Sequence, residues 1–538
     1  MFFRKKKDNA VNNIPNSFFL QTATGILNAI TLDKLIEQYN SKKIAPGTYV
    51  RSIDNWLKIE DVIKQYSNSA SDCAETNNTT TPPATDNNDN NVPDAIEQNN
   101  RKITCPHCWH SFKISEVLYI SKHPDLLGDP IVGMDAALRF SPNNFDFTGH
   151  AIDAKGMVCE DMACPVCHLR LPSALTDLNS NVFSIVGAPS CGKSYYLTAM
   201  IWQLRKILLN VFDYILTDSD EKLNIPINNY QSILFLNMHA NNNVALPKTE
   251  IQGNNFSNQI ILGDMSVNLP IPFIFTISPI ISDEKQTTKM RNFIVYDNAG
   301  EQFEPGRDIV TNPATAHLIH SDSIVFLFDV LQDVRFGSKC NEKDPQIAQC
   351  SSGNNQLIIL NEMILRIRKY AGLSSFQKYD KPLIIVVPKY DAWRQSFPLN
   401  IEKENYIYQS NRSLKNYVDI GTIMNVSWQL RTMLIECIPD FVATCESFAS
   451  TVIFIPVSAL GNLPEYDAAN NLISIKPKDI KPIWAEVPAL IQLAYAGVLE
   501  AVDNMPQYDK VIDNYSFTRN SIVCIMPDCN TGYVHSFL

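Results

Sequence analysis

Between residues 180 and 505 the chain alternates between two textures. Short apolar runs stand at Val182–Val186, Phe293–Tyr296, Ile324–Phe328, Leu383–Val387 and Val452–Val457. Each is rich in Ile, Val and Phe with little polar alternation, as in strands covered on both faces. Stretches of helical period lie among them: Tyr195–Phe212, Gln356–Tyr370, Trp428–Phe448 and Ile483–Leu499. The alternation predicts an α/β domain on a doubly wound, mostly parallel sheet.

The rest of the chain divides by pattern. Residues 15–66 mix apolar and polar positions around a helical stretch, Leu32 to Tyr39, and read as a small α+β module. Residues 67–100 are rich in Asn, Thr, Asp and Pro and almost free of large apolar side chains. Such a segment cannot bury enough surface to offset its ordering entropy, so it reads as a disordered linker. Residues 101–175 carry paired cysteines, and 506–538 read as a C-terminal extension.

Composition narrows the function classes. With 538 residues, 45% hydrophobic and 19% charged, most of the chain should be globular, in several domains. A net charge of −11 disfavours a general role in coating nucleic acid. No apolar run reaches the length of about 18 residues that a membrane span needs. The basic start, Met1 to Asp8, lacks the apolar stretch of a signal peptide. A cytoplasmic, reducing location is therefore expected, with the 13 cysteines as thiols or metal ligands.

The first apolar run of the α/β zone ends in Gly187-Ala188-Pro189-Ser190-Cys191-Gly192-Lys193-Ser194, and a helical pattern opening with Tyr195 follows. That is the strand–loop–helix context of a P-loop. The glycines let backbone N–H groups curl around phosphate oxygens, Lys193 reaches the β- and γ-phosphates, and the Ser194 hydroxyl meets Mg²⁺. Cys191 reads most simply as a small loop side chain, with redox control of the loop as the alternative.

Asp297-Asn298-Ala299-Gly300 closes the second run. An acid at a strand end facing a P-loop can hold Mg²⁺ through a water. The Gly300 N–H can meet the γ-phosphate and act as a hinge when it leaves. A first-switch hydroxyl must lie between the P-loop helix and Asp297; Thr249 is the candidate, with other Ser and Thr residues there left open. Arg307 is a nearby candidate for an arginine finger.

The order GAPSCGKS, DNAG, Pro388-Lys389-Tyr390-Asp391 and Ser458-Ala459-Leu460 resembles the four nucleotide-facing motifs of the translation-factor-related (TRAFAC) class of P-loop GTPases, over roughly residues 180–500. The resemblance implies GTP and GDP as ligands. In it, Asp391 accepts from the guanine ring N–H and exocyclic amine, Lys389 lays its stem over the base, and the Ser458–Leu460 backbone meets the guanine carbonyl. Two departures stand out. Pro388 replaces the family's Asn or Thr, which removes one side-chain contact. Glu301 follows Gly300 where Ras-like members carry a water-orienting Gln, and Gln302 comes one position late. Slow intrinsic hydrolysis, or help from a partner, is the expectation.

Cys105-Pro106-His107-Cys108 and Cys164-Pro165-Val166-Cys167 are two C-x-x-C knuckles. Four thiolates suit tetrahedral Zn²⁺ in a closed, structural site. His107, His110, Cys159 and His168 are alternative ligands, and residues 109–163 must fold back to close the site. The segment from CPHC through His123–Pro130, Arg139-Phe140 and Ala163–His168 resembles the zinc-ribbon region of large bacterial TRAFAC GTPases. That resemblance implies a bacterial signalling or conflict system.

Lys43 to Val50 with Trp56-Leu57-Lys58-Ile59 resembles part of a small GYF-related bacterial domain. Trp56 with Tyr49 could offer an aromatic face to a peptide, or Trp56 could simply be the core of the module. A module on a tether implies recruitment of a protein partner. A GTPase switch is the leading reading; a scaffold that holds nucleotide without turnover, and a P-loop ATPase, are the alternatives.

Overall fold

The computed structural model describes residues 101–503, except 238–240, 248–256, 263–264, 281–288, 298–302, 304–315, 341–355, 411–414 and 468–471; within the exceptions Phe303 is described. Before residue 101 it describes the backbone of four strands. The chain divides into two units, Met1–Asn90 and Asn91–Leu538.

In the first unit, strands Ser17–Gln21, Leu27–Thr31, Tyr49–Arg51 and Trp56–Lys58 form an antiparallel sheet in which the first strand lies between the second and third. Tyr49 pairs with Lys58 and Arg51 with Trp56. The helical stretch expected at Leu32–Tyr39, the linker 67–100 and the extension 506–538 fall outside the described residues.

The second unit is organised by a seven-stranded sheet. Its strands and longer helices follow in chain order: β1 (Asn179–Gly187), α1 (Lys193–Val211), β2 (Tyr214–Asp218), α2 (Glu221–Phe235), β3 (Phe273–Pro279), β4 (Arg291–Asp297), β5 (Ser323–Leu327), α3 (Gln356–Ala371), β6 (Leu383–Val387), α4 (Ile420–Cys437), α5 (Pro439–Phe448), β7 (Val452–Pro456) and α6 (Val487–Tyr495). The order across the sheet is β2-β3-β4-β1-β5-β6-β7. The five strands from β4 to β7 are parallel, and the five apolar runs of the sequence fall on them, two of the runs passing the strand end by one residue. β3 runs antiparallel to β4, and β2 antiparallel to β3.

Three features depart from the sequence reading. Two strands that the sequence reading lacked, β2 at the edge and β3 beside it, add antiparallel pairings to a sheet that is otherwise parallel, as expected. The helical stretch Trp428–Phe448 is two helices, α4 and α5, with Pro439 in the first turn of α5. Proline lacks the N–H that a continuing helix needs but fits a new first turn. The stretch Ile483–Leu499 is helical only over Val487–Tyr495.

Side-chain alternation on β4 separates two cores. Phe293 and Val295 join the main core with Phe183 and Ile185 of β1 and with α1. Ile294 and Tyr296 point the other way, into a second core with Ile103, Phe112, Val117, Leu169, Leu171 and three of the cysteines. Ile274 of β3 follows them, as do Ile260, Val267 and Leu269 of the hairpin Ser257–Leu262/Met265–Pro270. On this side β3 and β4 are thus covered by the cysteine-bearing segment and the hairpin. Successive strand residues face opposite ways, so one short strand serves both cores.

Candidate nucleotide site and metal centre

The parallel strands end at one edge. Ile185 pairs with Asp297, Gly187 with Leu327, and Val387 with Pro456. The loops leaving this edge carry each of the nucleotide-facing motifs, as far as the structure describes them.

The loop after β1 turns through two left-handed residues, Ser190 (φ 61°) and Gly192 (φ 90°), and α1 begins at Lys193. A Cβ on Gly187 would stand 2.9 Å from the Leu327 carbonyl oxygen and 3.0 Å from Cys191 Sγ, so the loop starts flush against β5. Lys193 Nζ reaches back to the carbonyls of Gly187 (2.8 Å) and Ala188 (2.9 Å). An ammonium has three donors, and these bonds use two. Cys191 is fully buried, and burial pushes its thiol up, which favours the reading as a loop-filling side chain. Tyr195, in the first turn of α1, accepts the Leu246 N–H at 2.8 Å and so tethers the stretch leading toward Thr249.

Asp297 ends β4. Burial raises its carboxyl to about 6, against the pull of the Lys193 charge. Its Oδ1 is buried and has no hydrogen-bond partner among the described residues. An orphaned carboxylate oxygen at a strand end, near an ammonium and the hydroxyl-bearing start of α1, fits a divalent cation. Gly300, Glu301, Gln302, Thr249 and Arg307 lie outside the described residues.

On the other side of the P-loop, Lys389 has φ 58° and begins a short helical turn, Tyr390–Trp393. Asp391 is buried, and the Ser458 hydroxyl donates to its Oδ1. Ser458 Oγ in turn accepts the Gly461 N–H at 2.6 Å. Gly461 is at φ +76°, and a Cβ there would fall 1.8 Å from the Lys481 carbonyl oxygen, so the turn admits only glycine. Leu460 accepts the Lys481 N–H at 2.8 Å, and Ala459 and Leu460 pack against the main core. Trp393 is fully buried and its indole donates to the Pro388 carbonyl at 3.0 Å. Lys389, Asp391 and Ser458 thus meet in one place, and Asp329, which follows β5, joins them through a 2.6 Å ion pair with Lys389. Sequence reading missed Asp329. An acid after a buried run, the signal used for Asp297, marks it equally.

The four knuckle cysteines form a cluster whose sulfur atoms all lie within 4.8 Å of one another. Each knuckle is the turn of an antiparallel hairpin: Lys102–Thr104 with Ser111–Lys113, and Met162–Ala163 with Arg170–Leu171. The turns repeat each other bond for bond. Cys105 Sγ accepts the His107 N–H, and Cys164 Sγ the Val166 N–H, both at 3.4 Å. Trp109 and His168, each after the second cysteine, share φ 57° and donate back to the first cysteine's carbonyl at 3.0 Å. Across the cluster, Cys105–Cys167 and Cys108–Cys164 stand 3.7 Å apart. Four sulfurs about 2.3 Å from a tetrahedral Zn²⁺ would be spaced by about 3.8 Å, so the residues fit that ion. Three of the four alternative ligands are engaged elsewhere: His107 with the Arg170 carbonyl (3.2 Å), Cys159 with Asp153 (3.7 Å) and His168 with Asp129 (2.8 Å); His110 is not part of the cluster.

The two sites are neighbours. The Tyr296 hydroxyl donates to the Pro106 carbonyl, inside the first knuckle. Its ring stacks on His317, with centroids 4.5 Å apart, and Trp109 lies 6.3 Å away. The hairpin ahead of β3 is tied to the same segment by the Ile261 N–H to the Ile131 carbonyl at 2.8 Å.

No family model and no curated protein matches the chain. Among solved structures it is similar to the S. cerevisiae Ski7 GTPase-like domain bound to GTP, at 15% identity over 52% of this chain and 43% of that one, with a TM-score of 0.22. It is also similar to a Plasmodium falciparum putative nucleolar GTP-binding protein 1, at 14% identity over 61% of this chain and 92% of that one, with a TM-score of 0.20. A third likeness is to the signal recognition particle receptor SRb-GTP/SRX complex from Chaetomium thermophilum, at 12% identity over 53% and 95%, with a TM-score of 0.20. The chain spans less than half the length of the Ski7 chain it matches. Among the described residues no helix is long and apolar enough to cross a membrane.

Proposed function

We propose that this chain binds GTP and GDP with Mg²⁺ at the C-terminal edge of its sheet, and hydrolyses GTP as a switch. The observation that carries this is convergence. The Lys193 loop, the buried Asp297 carboxylate and the Lys389–Asp391–Ser458 cluster, far apart in sequence, leave one edge of one sheet. In this reading the backbone from Gly187 to Ser194 holds the phosphates, and the Lys193 ammonium meets the β- and γ-oxygens. Ser194 and Asp297 hold Mg²⁺, which neutralises phosphate charge. Asp391, oriented by Ser458, accepts from guanine; adenine offers no such donor pair. Gly300, Glu301, Gln302 and Thr249 are assigned to sensing the γ-phosphate and positioning water.

The four cysteines hold a structural Zn²⁺, and residues 15–66 recruit a protein partner, in a cytoplasmic and bacterial setting. Calorimetry with GTP, GDP and ATP, followed by a phosphate-release assay, tests the core of the proposal. GTP is expected to bind more tightly than ATP, and Lys193→Ala to abolish binding. Equal affinities for GTP and ATP would remove the base-reading role. Binding without phosphate release would make the chain a nucleotide-holding scaffold.

A further inference from the structure

The phosphate loop and the base-reading turn are both joined to a side chain that neither motif contains. Asp329 stands two residues beyond β5 and is fully buried. Its Oδ2 receives Lys389 Nζ at 2.6 Å and Gln332 Nε2 at 3.1 Å, and its Oδ1 receives the Leu331 N–H at 3.1 Å. Gln356, at the head of α3, clamps its backbone: the Asp329 N–H donates to Oε1 and Nε2 donates to the Asp329 carbonyl, both at 2.8 Å. A buried carboxylate with several donors and one ammonium is fixed in position.

Gln332 extends this chain of contacts. Its Nε2 also donates to the Pro189 carbonyl in the phosphate loop, at 3.3 Å. The path Pro189–Gln332–Asp329–Lys389 therefore crosses from the phosphate side of the site to the base side. The turn it secures needs holding. Lys389 is in the left-handed region, a strained conformation for a non-glycine residue. Pro388, immediately before it, has no side-chain donor or N–H with which to tie the turn to the loop.

We infer that Asp329 is a positioning residue for guanine recognition: it aims the Lys389 stem and, through Gln332, locks the base-reading turn to the phosphate loop. Asp329 itself does not touch nucleotide; it acts through Lys389. The inference rests on the guanine-nucleotide reading above.

The test uses the full chain and three probes: GTP, ATP and inorganic tripolyphosphate, each with Mg²⁺. Tripolyphosphate reports the phosphate loop alone. Asp329→Asn is expected to weaken GTP about tenfold or more and narrow the GTP-over-ATP ratio, with tripolyphosphate changed less than about twofold. In a Lys389→Ala background the same change should cause no further loss of GTP affinity. Gln332→Ala, at a half-buried position, should fold even if Asp329→Asn does not, and should shift GTP the same way by a smaller factor. Unchanged GTP affinity in both variants, or equal loss of GTP and tripolyphosphate, would overturn the positioning role. A wild-type chain that binds GTP and ATP equally would instead overturn the guanine reading beneath it.

Discussion

The hydroxyl of Tyr296 donates to the carbonyl of Pro106. One partner immediately precedes Asp297 in the proposed nucleotide site; the other sits between two clustered cysteines. Tyr296→Phe keeps the ring but leaves a buried carbonyl without this donor, at a cost of about 1–3 kcal/mol. Thermal melting should show a lower Tm without loss of bound zinc. An unchanged Tm would mean that water replaces the hydroxyl.

Metal content should be about one zinc per chain, and Cys164→Ser should lower it. Because Cys105, Cys164 and Cys167 share a core with Ile274, Ile294 and Tyr296, chelation should destabilise the sheet itself. Calorimetric unfolding should then show a single transition moving down with chelator. An independent early transition, with the main one unmoved, would mean that the cysteine segment is only an appendage.

Asp297 is expected to make stability depend on pH and, in the proposed site, on magnesium. Its folded-state carboxyl is raised from 3.8 to about 6. The folded state therefore holds the proton more tightly. The group's contribution to stability is fully present below about pH 4 and is lost as pH rises through about 6. Asp297→Asn, which never ionises, should be the more stable protein at pH 7.5 without ligand, by about 1–3 kcal/mol. The difference should close by pH 4. Mg²⁺ should stabilise the wild type and not the variant. Chemical denaturation across pH, with and without Mg²⁺, checks both halves.

The proposed base-reading cluster predicts a change of specificity. Asp391→Asn should move preference from guanine toward xanthine nucleotides, because the substituted donor then faces an acceptor. Ser458→Ala removes the hydroxyl that orients Asp391 and accepts from Gly461, and should weaken GTP by about 1–2 kcal/mol with ATP little changed. Competition binding with GTP, XTP and ATP reads both variants.

Much of the sheet was legible in the sequence because the parallel strands are buried on both faces and read as unbroken Ile, Val and Phe. β3 was not, although Phe273 to Ile277 is as apolar. Pro270, Pro272 and Pro279 bracket it, and proline argues against a central strand. It is tolerated here at the ends of the strand. The junction of α4 and α5 hid for a different reason. Both helices bury one face, so the apolar period runs across Ile438-Pro439 without a visible break.

The cysteine spacing named four residues, and they stand together in the structure. It could not say where that cluster sits. Docking depends on Tyr296 and Ile294, whose outward alternation is invisible inside an apolar run. Asp329 was missed because its partner is 60 residues away and a lone acid after a strand has many ordinary uses.

The alternation along β4 also decides what can be cut from this protein. A fragment beginning at residue 176 would keep the phosphate loop, Asp297 and the base-reading turn, but lose Ile103, Phe112, Val117, Leu169 and Leu171. Ile274, Ile294 and Tyr296 would then lose much of their cover on one side of the sheet, keeping only the hairpin residues Ile260, Val267 and Leu269 from that core. The isolated domain should be prone to aggregate, however complete its motifs look on paper. The half that carries these motifs is not a portable cassette: its solubility is written into residues that come before it.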